Sequence, residues 1–152
     1  KMGQAGARFA SALLGRLEDC DASVRQSAVE SIGKVAKAST SAAERITKLL
    51  QTEQDSEVQV KSLHVLRQMG LAAKLFAPDV AKLLHSREAA VRLAAAAALG
   101  GMQEASRPEF AEVIAEVIQN PEVRRFADEQ GSREEKLLCR LLGTSTSSHA
   151  LG

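Results

Sequence analysis

A motif built around a valine recurs four times along the chain, at intervals of 34, 33 and 32 residues, and this period limits the available folds. The four valines are Val24, Val58, Val91 and Val123. Four positions after each valine comes a small residue: Ala28, Ser62, Ala95 and Ala127. In the first three copies an aliphatic residue follows after four more positions: Ile32, Leu66 and Leu99. Positions i, i+4 and i+8 share one face of an α-helix, so each copy predicts a helix with the same buried face.

A second amphipathic segment precedes each valine motif, so the repeating unit is a pair of helices. Aliphatic residues at i, i+3 and i+4, such as Ile46, Leu49 and Leu50, form its apolar stripe. The prolines stand where helices should begin, because a missing N–H costs nothing there: Pro78, Pro108 and Pro121. We expect helix pairs at about 8–38, 42–70, 78–104 and 108–130, a final helix at 133–142 and a flexible polar tail at 144–152.

The composition also favours helices. Hydrophobic residues make up 45% of the chain, yet only 3% is aromatic, so the apolar mass is Ala, Leu, Val and Ile. Such side chains suit close packing of helices better than a β-sheet. We therefore predict an all-α fold: residues 1–143 form a single domain, a right-handed α-solenoid of about four helix pairs plus a C-terminal helix.

The segment DASVRQSAVESIG, residues 21–33, and the segment VRLAAAAALG, residues 91–100, resemble the HEAT-repeat family. The short period is similar to that of the compact, phycobilin-lyase-type HEAT-like repeats. Two positions of the second copy depart from the pattern, with Gln59 in place of Arg and Arg67 in place of Gly. The resemblance implies an α-solenoid but no single activity, because such solenoids carry unrelated functions.

The resemblance also implies a role for the arginine after each valine. In HEAT-like proteins these arginines contact the aspartate of the turn, or backbone carbonyls, of a neighbouring repeat. For this chain the implied inter-repeat ladder consists of Asp21, Arg25, Arg92 and Arg124. Contact with a ligand is the alternative role for the arginines.

No catalytic motif or cofactor-binding signature is present in the sequence, so we expect a non-enzymatic module without a cofactor. Stacked helix pairs form a concave surface from their second helices, and we expect it to bind another protein. The candidate contacts on these helices are Arg25, Glu30, Lys34, Lys61, His64, Leu93 and Ala97. The uncharged run from Leu93 to Gln103 either packs against flanking helices or forms a dry docking patch.

Two other functions remain open at this point. The short repeat is similar to that of bilin lyases, which suggests a ligand-binding lyase or chaperone. A nucleic-acid-binding HEAT protein is the other possibility, and the second helices carry basic residues on the first two pairs. The near balance of 20 basic and 19 acidic residues argues against nucleic acid.

The charge distribution and the cysteines limit which partners and which cell compartment are expected. Residues 1–50, 51–100 and 101–152 carry net charges of +3, +1 and −3, so weak head-to-tail self-association is a further possibility. Cys20 and Cys139 form no metal or redox motif, which is typical of an intracellular, cytoplasmic protein with reduced thiols. No apolar run of about 20 residues occurs, so we expect no membrane partner. The chain begins Lys1–Met2, which is typical of a fragment or a processed chain, so a subunit or fragment of a larger assembly is a further alternative.

Overall fold

The fold is known from a computed structural model, which describes residues 3–105 and 107–130. The α-helices of these residues are α1 (Gly3–Arg16), α2 (Ala22–Val35), α3 (Thr40–Thr52), α4 (Ser56–Met69), α5 (Ala77–Ala81), α6 (Ala89–Gly101), α7 (Pro108–Gln119) and α8 (Pro121–Gln130). Two 3-10 segments flank α5, at Gly70–Phe76 and Lys82–His85. The described residues contain no strand, which confirms the all-α prediction. The predicted helix at 133–142 and the tail at 144–152 lie outside the described residues.

The helices pack in the order expected of a stack of helix pairs. Each second helix contacts the next: α2 packs on α4, α4 on α6, and α6 on α8. The first helices lie along one side of this row, with α1 against α2, α3 against α4, and α7 against α6 and α8. This arrangement is consistent with a HEAT-like solenoid.

The repeated face of the second helices forms the core. All four small residues are buried, as are the valines of the last three copies. Val24 is only half-buried, since it lies on the first described pair. At the small position of α4 stands Ser62, whose buried hydroxyl has no hydrogen-bond partner among the described residues. Small side chains at these points let neighbouring second helices approach closely.

The third pair departs from the expected pattern. Helix α4 ends at Met69, and its C-cap Gly70 has a φ of 55°, in the left-handed region that glycine adopts without strain. The chain continues directly into a 3-10 segment, and α5 is only 5 residues long. The expected first helix of this pair is therefore only a short α-helix, Ala77–Ala81, which continues as the 3-10 segment Lys82–His85. Leu71 and Leu75 of the first 3-10 segment are left exposed.

The tightest approach of the stack lies between α4 and α6. A Cβ added at Gly101 would stand 2.7 Å from the carbonyl oxygen of Arg67, closer than van der Waals contact allows. At Gly33 of α2, the same construction meets the Val65 side chain at 3.0 Å. The sequence pattern predicts close approaches at Gly33 and Gly100; the structure confirms the one at Gly33 and shows another at Gly101. In α6 the glycine accommodates the backbone of the preceding second helix.

Replacing Gly101 with alanine should therefore destabilise the fold. We expect Gly101→Ala to lower the free energy of unfolding by about 2 kcal/mol, because α4 and α6 must separate to admit the new carbon. The matched control is Gly15→Ala in α1, where an added Cβ meets nothing within 4 Å. The control should be neutral or stabilising by about 0.5 kcal/mol through helix propensity. Denaturant unfolding of both variants checks this, and equal stabilities would contradict the close approach.

Candidate functional site

One hydrogen bond repeats at every turn between the two helices of a pair. Arg25 donates to the carbonyl oxygen of Asp19 at 2.8 Å, six residues earlier in the chain. At the corresponding position of the other pairs, the same bond is made by Gln59 to Glu53 (2.9 Å), Arg92 to Ser86 (2.7 Å) and Arg124 to Ile118 (3.2 Å). Each side chain thus bonds a carbonyl oxygen of its own pair, in the turn or at the end of the first helix, and not one of a neighbouring repeat. Gln59, which looked like a departure from the motif, keeps this bond through its amide.

Among the side chains that make this bond in the described residues, Arg25 and Arg92 also bond to the next pair. Arg25 donates from Nε and Nη2 to the two carboxylate oxygens of Glu53, at 2.8 and 2.9 Å. Arg92 donates from Nη2 to Glu122 at 2.7 Å, while its buried Nε has no partner among the described residues. Gln59 carries no charge, so this kind of bridge links the first pair to the second and the third to the fourth.

Asp21 does not belong to this ladder, contrary to the expectation from the family resemblance. Its carboxylate accepts hydrogen bonds from the backbone N–H and the hydroxyl of Ser23, at 2.9 and 2.7 Å. It is therefore the N-cap of α2. These hydrogen bonds lower the pKa of Asp21. Glutamates, and not the turn aspartate, are the carboxylate partners of Arg25 and Arg92.

Glu53 is the central group of the first bridge. Its side chain is only 3% exposed, and Oε1 also accepts from the backbone N–H groups of Gln54 and Asp55. Burial by itself would raise the pKa of Glu53, but the hydrogen bonds from Arg25 and from the Asp55 N–H outweigh it. The pKa of this carboxyl therefore lies below its ordinary value, and Glu53 is ionised at neutral pH.

A second buried carboxylate closes the turn after α6. Glu104 accepts from Arg107 at 2.7 Å and lies 3.4 Å from Nζ of Lys74 on the 3-10 segment. The hydrogen bond from Arg107 is the main reason that the pKa of Glu104 is lowered. Gln103, which precedes Glu104, has a φ of 63°. The backbone N–H groups of Gln103 and Glu104 donate hydrogen bonds to carbonyl oxygens in the last turn of α6. Both buried carboxylates thus hold turns in place.

The surface-exposed side of the second helices carries most of the candidate contacts. Glu30 on α2 lies 3.7 Å from Nζ of Lys34 and 3.9 Å from Nζ of Lys61 on α4. His64, one turn after Lys61, is exposed and lies 3.1 Å from the amide of Gln68. The structure thus places four of the predicted residues on one continuous surface of α2 and α4. We call it the second-helix surface.

The other three predicted contacts lie elsewhere or contribute little surface. Leu93 is 1% exposed and belongs to the core, so its assignment as a partner contact is wrong. Its helix α6 is in contact with α4 and α8 on the row of second helices, and with α5, α7 and both 3-10 segments on the side of the first helices. Ala97 is also almost fully buried, and it lies at the base of a groove. Arg25 is held by Glu53 at the turns.

The groove lies on the second helices, between α4 and α8 and over α6, with a volume of about 530 Å³. Its lining residues from α4, α6 and α8 include Val60, Lys61, His64, Arg67, Ala90, Ala94, Ala97 and Phe126. Sequence reasoning missed Val60 and Phe126 as site residues. Phe126 lies three positions after its valine, as Lys61 does in its own helix. This shared register could have identified Phe126 as a residue of the same surface.

A larger cavity, of about 720 Å³, lies beside the turns of the first two pairs. Its charged side chains are largely engaged with one another: Arg25 with Glu53, and Arg45 with Glu18 at 3.2 Å. These contacts join the two pairs. The cavity is therefore a seam of the structure, and the groove is the better candidate for binding.

The comparisons with known proteins agree with the sequence pattern. The family model for the HEAT repeat matches residues 9–39, which include the DASVRQSAVESIG motif and α2, and so confirms the resemblance to this family. Comparison with curated proteins and with solved structures gave no match. Among the described residues, no helix is long and apolar enough to cross a membrane. No group of three or more His, Cys, Asp or Glu in the described ranges is placed to hold a metal ion.

The Arg25–Glu53 bridge yields a prediction about stability and pH. We expect Glu53→Gln to lower the free energy of unfolding by about 2 kcal/mol at pH 7, since it leaves the half-buried guanidinium without its carboxylate. Because the pKa of Glu53 is lowered in the folded state, its contribution is full above the unfolded value of about 4.3. This stabilising contribution is lost as the pH falls through the lower pKa that Glu53 has in the folded state.

The difference between the unmodified chain and Glu53→Gln should therefore shrink as the pH falls below about 4.3, which urea unfolding at several pH values measures. Glu122→Gln is the matched control, because Glu122 makes the equivalent bridge but is 72% exposed. Its cost should stay below about 0.5 kcal/mol. A Glu53→Gln loss as small as that of the control would contradict the role of the buried bridge.

Proposed function

We propose that this chain, in which residues 9–39 match the HEAT repeat, is a non-enzymatic module that binds another protein through its second-helix surface and groove. HEAT repeats commonly mediate protein–protein interaction, and proteins built from them are generally scaffolds. For the finer architecture we propose one domain, a right-handed solenoid of four helix pairs. In such a stack the second helices line the concave side, where a partner can contact several repeats at once.

The observation that carries this proposal is that the second helices use one face for packing and leave another face exposed. Their repeated face, at the valine, the small residue and the aliphatic residue, is used for packing. The positions three and six after the valine are not needed for that packing in α2 and α4, where they carry Ser27, Glu30, Lys61 and His64. These positions vary in charge and size from one pair to the next, while the packing positions keep one character. A surface free of packing constraints can be shaped for a partner.

Site-specific photo-crosslinking tests where a partner binds. We expect crosslinkers at Lys34 and at His64, both exposed on second helices, to capture the same protein from a cell extract. A crosslinker at Lys48 on the first helix α3, which is also exposed, should not capture it. Thermal melts of the three labelled proteins check that folding is unchanged. Equal capture from Lys48, or different proteins from Lys34 and His64, would contradict binding on the second-helix surface.

A further inference from the structure

The groove exists because α6 carries shorter side chains than the two helices beside it. Three positions after the repeated valine, α4 has Lys61 and α8 has Phe126, whereas α6 between them has Ala94. Six positions after the valine, α4 has His64 and α6 has Ala97. The alanines form the floor of the groove, and the longer side chains of α4 and α8 form its walls. The floor is therefore an apolar strip along α6.

The dimensions of the groove suit one short helix. Ala90, Ala94 and Ala97 recur at i, i+4 and i+7, so they face the same side of α6. The lining residues of α4 extend from Ser56 to Arg67, a length of about 16 Å at the rise of an α-helix. A volume of about 530 Å³ can take in a few large aliphatic side chains, but not a folded domain. A helix of about ten residues, which is about 15 Å long, matches this strip.

The described part of the chain ends at the edge of this groove. Gln130 is the last residue of α8, and its side chain is among those that line the groove. Gln130 comes seven positions after the repeated valine of α8, close in register to Ala97, which comes six positions after that of α6. The chain therefore continues from the end of the groove where Ala97 lies. Even two extended residues span about 7 Å, so the following segment can reach the floor without a long linker.

The sequence of the following segment, GSREEKLLCRLLG at residues 131–143, has the length and the pattern that the groove requires. Gly131 permits a reversal of the chain directly after α8, and Ser132 followed by Glu135 is a capping box that predicts the start of a helix. The predicted helix at 133–142 has ten residues, so it is about as long as the floor. Four leucines share one side of this helix, at i, i+1, i+4 and i+5: Leu137, Leu138, Leu141 and Leu142. A helix with such a stripe needs an apolar surface to cover it.

We propose that residues 133–142 dock in the groove as a helix, with their leucines on the alanine floor. Because the segment starts at the Gln130 end, this helix runs antiparallel to α8, and Leu138 lies over Ala94. The docked segment covers part of the surface that we propose for a partner protein, so a partner that uses the groove must displace it. This regulatory role rests on the proposed function, whereas the docking itself does not.

Disulfide trapping in the full chain tests the docking, in a background where Cys20→Ser and Cys139→Ser remove the native thiols. We expect the pair Leu138→Cys/Ala94→Cys to close an intramolecular disulfide under mild oxidation, because a disulfide forms only between residues that lie close together. Two matched pairs combine Leu138→Cys with Lys48→Cys on α3 or with Glu112→Cys on α7, both at exposed positions. They should close at least about tenfold more slowly.

The pair with α7 represents the other place for this segment, as a further first helix at the end of the stack. Closure of that pair as fast as the pair with Ala94→Cys would overturn the proposal, and so would the absence of a disulfide at Ala94→Cys. Mass spectrometry identifies the linked peptides, and thermal melts check that the reduced variants fold.

Thiol accessibility gives a second readout that leaves the alanine floor unchanged. Val60 is half-buried and lines the groove from α4. In the same background, Val60→Cys should react with a maleimide at least about tenfold faster when Leu138→Ser/Leu142→Ser removes two of the leucines, because the segment no longer covers the thiol. Lys48→Cys is the control, and its rate should be the same with and without the leucine substitutions. An unchanged rate at Val60→Cys would contradict the docking.

The results separate the docking from the broader function. If the crosslinkers at Lys34 and His64 capture the same protein but neither thiol experiment shows docking, the inference about the segment is wrong and the interaction function stands. If docking is seen and Leu138→Ser/Leu142→Ser increases the capture at His64, the regulatory role is confirmed. If docking is seen but no protein is captured with or without these substitutions, the segment is a fixed part of the fold, and the regulatory role and the proposed function both fail.

Discussion

The close packing of α4 against α6 is the constraint on which the rest of the structure depends. Gly101 of α6 lies against the backbone of Arg67, and every residue of α6 from Leu93 to Leu99 is buried. Buried side chains this small bring helix axes close together, where dispersion attraction is weak for each pair of atoms but large in sum. Helix α4 also packs on α2, and α6 on α8, so these two helices join both halves of the stack. The position of the turns and of the groove follows from this packing.

The helix pairs could be predicted because the residues that must be small for close packing recur in the sequence at a nearly constant interval. A residue that must be small, such as Ala95, recurs where neighbouring helices meet, and its register gives the buried face. The short α5 could not be predicted in this way, because its helical stripe of Val80, Leu83 and Leu84 is also compatible with 3-10 turns. Leu93 was wrongly predicted to contact a partner, because the helical register of α6 does not show that neighbouring elements cover this residue.

The site was predictable in part, for a related reason. Residues on exposed faces, such as Lys61 and His64, follow directly from the helical register once the buried face is known. Glu53 could not be recognised, since a glutamate in a polar turn normally stays in solvent, and only the neighbouring pair brings Arg25 to it. The groove was also hidden, because it arises from a contrast in size between α6 and its neighbours. The uncharged run that begins at Leu93 is therefore both a fully buried stretch of α6 and part of the floor of the candidate binding site.

Native-state hydrogen exchange tests this account most directly, because it measures the stability of each helix separately. If the contact between α4 and α6 supports the stack, the amides of these two helices should exchange most slowly, near the limit set by global unfolding. Those of α1 and of the 3-10 segment Gly70–Phe76 should exchange faster through local opening. Exchange in α6 as fast as in α1 would contradict the central place given to this contact.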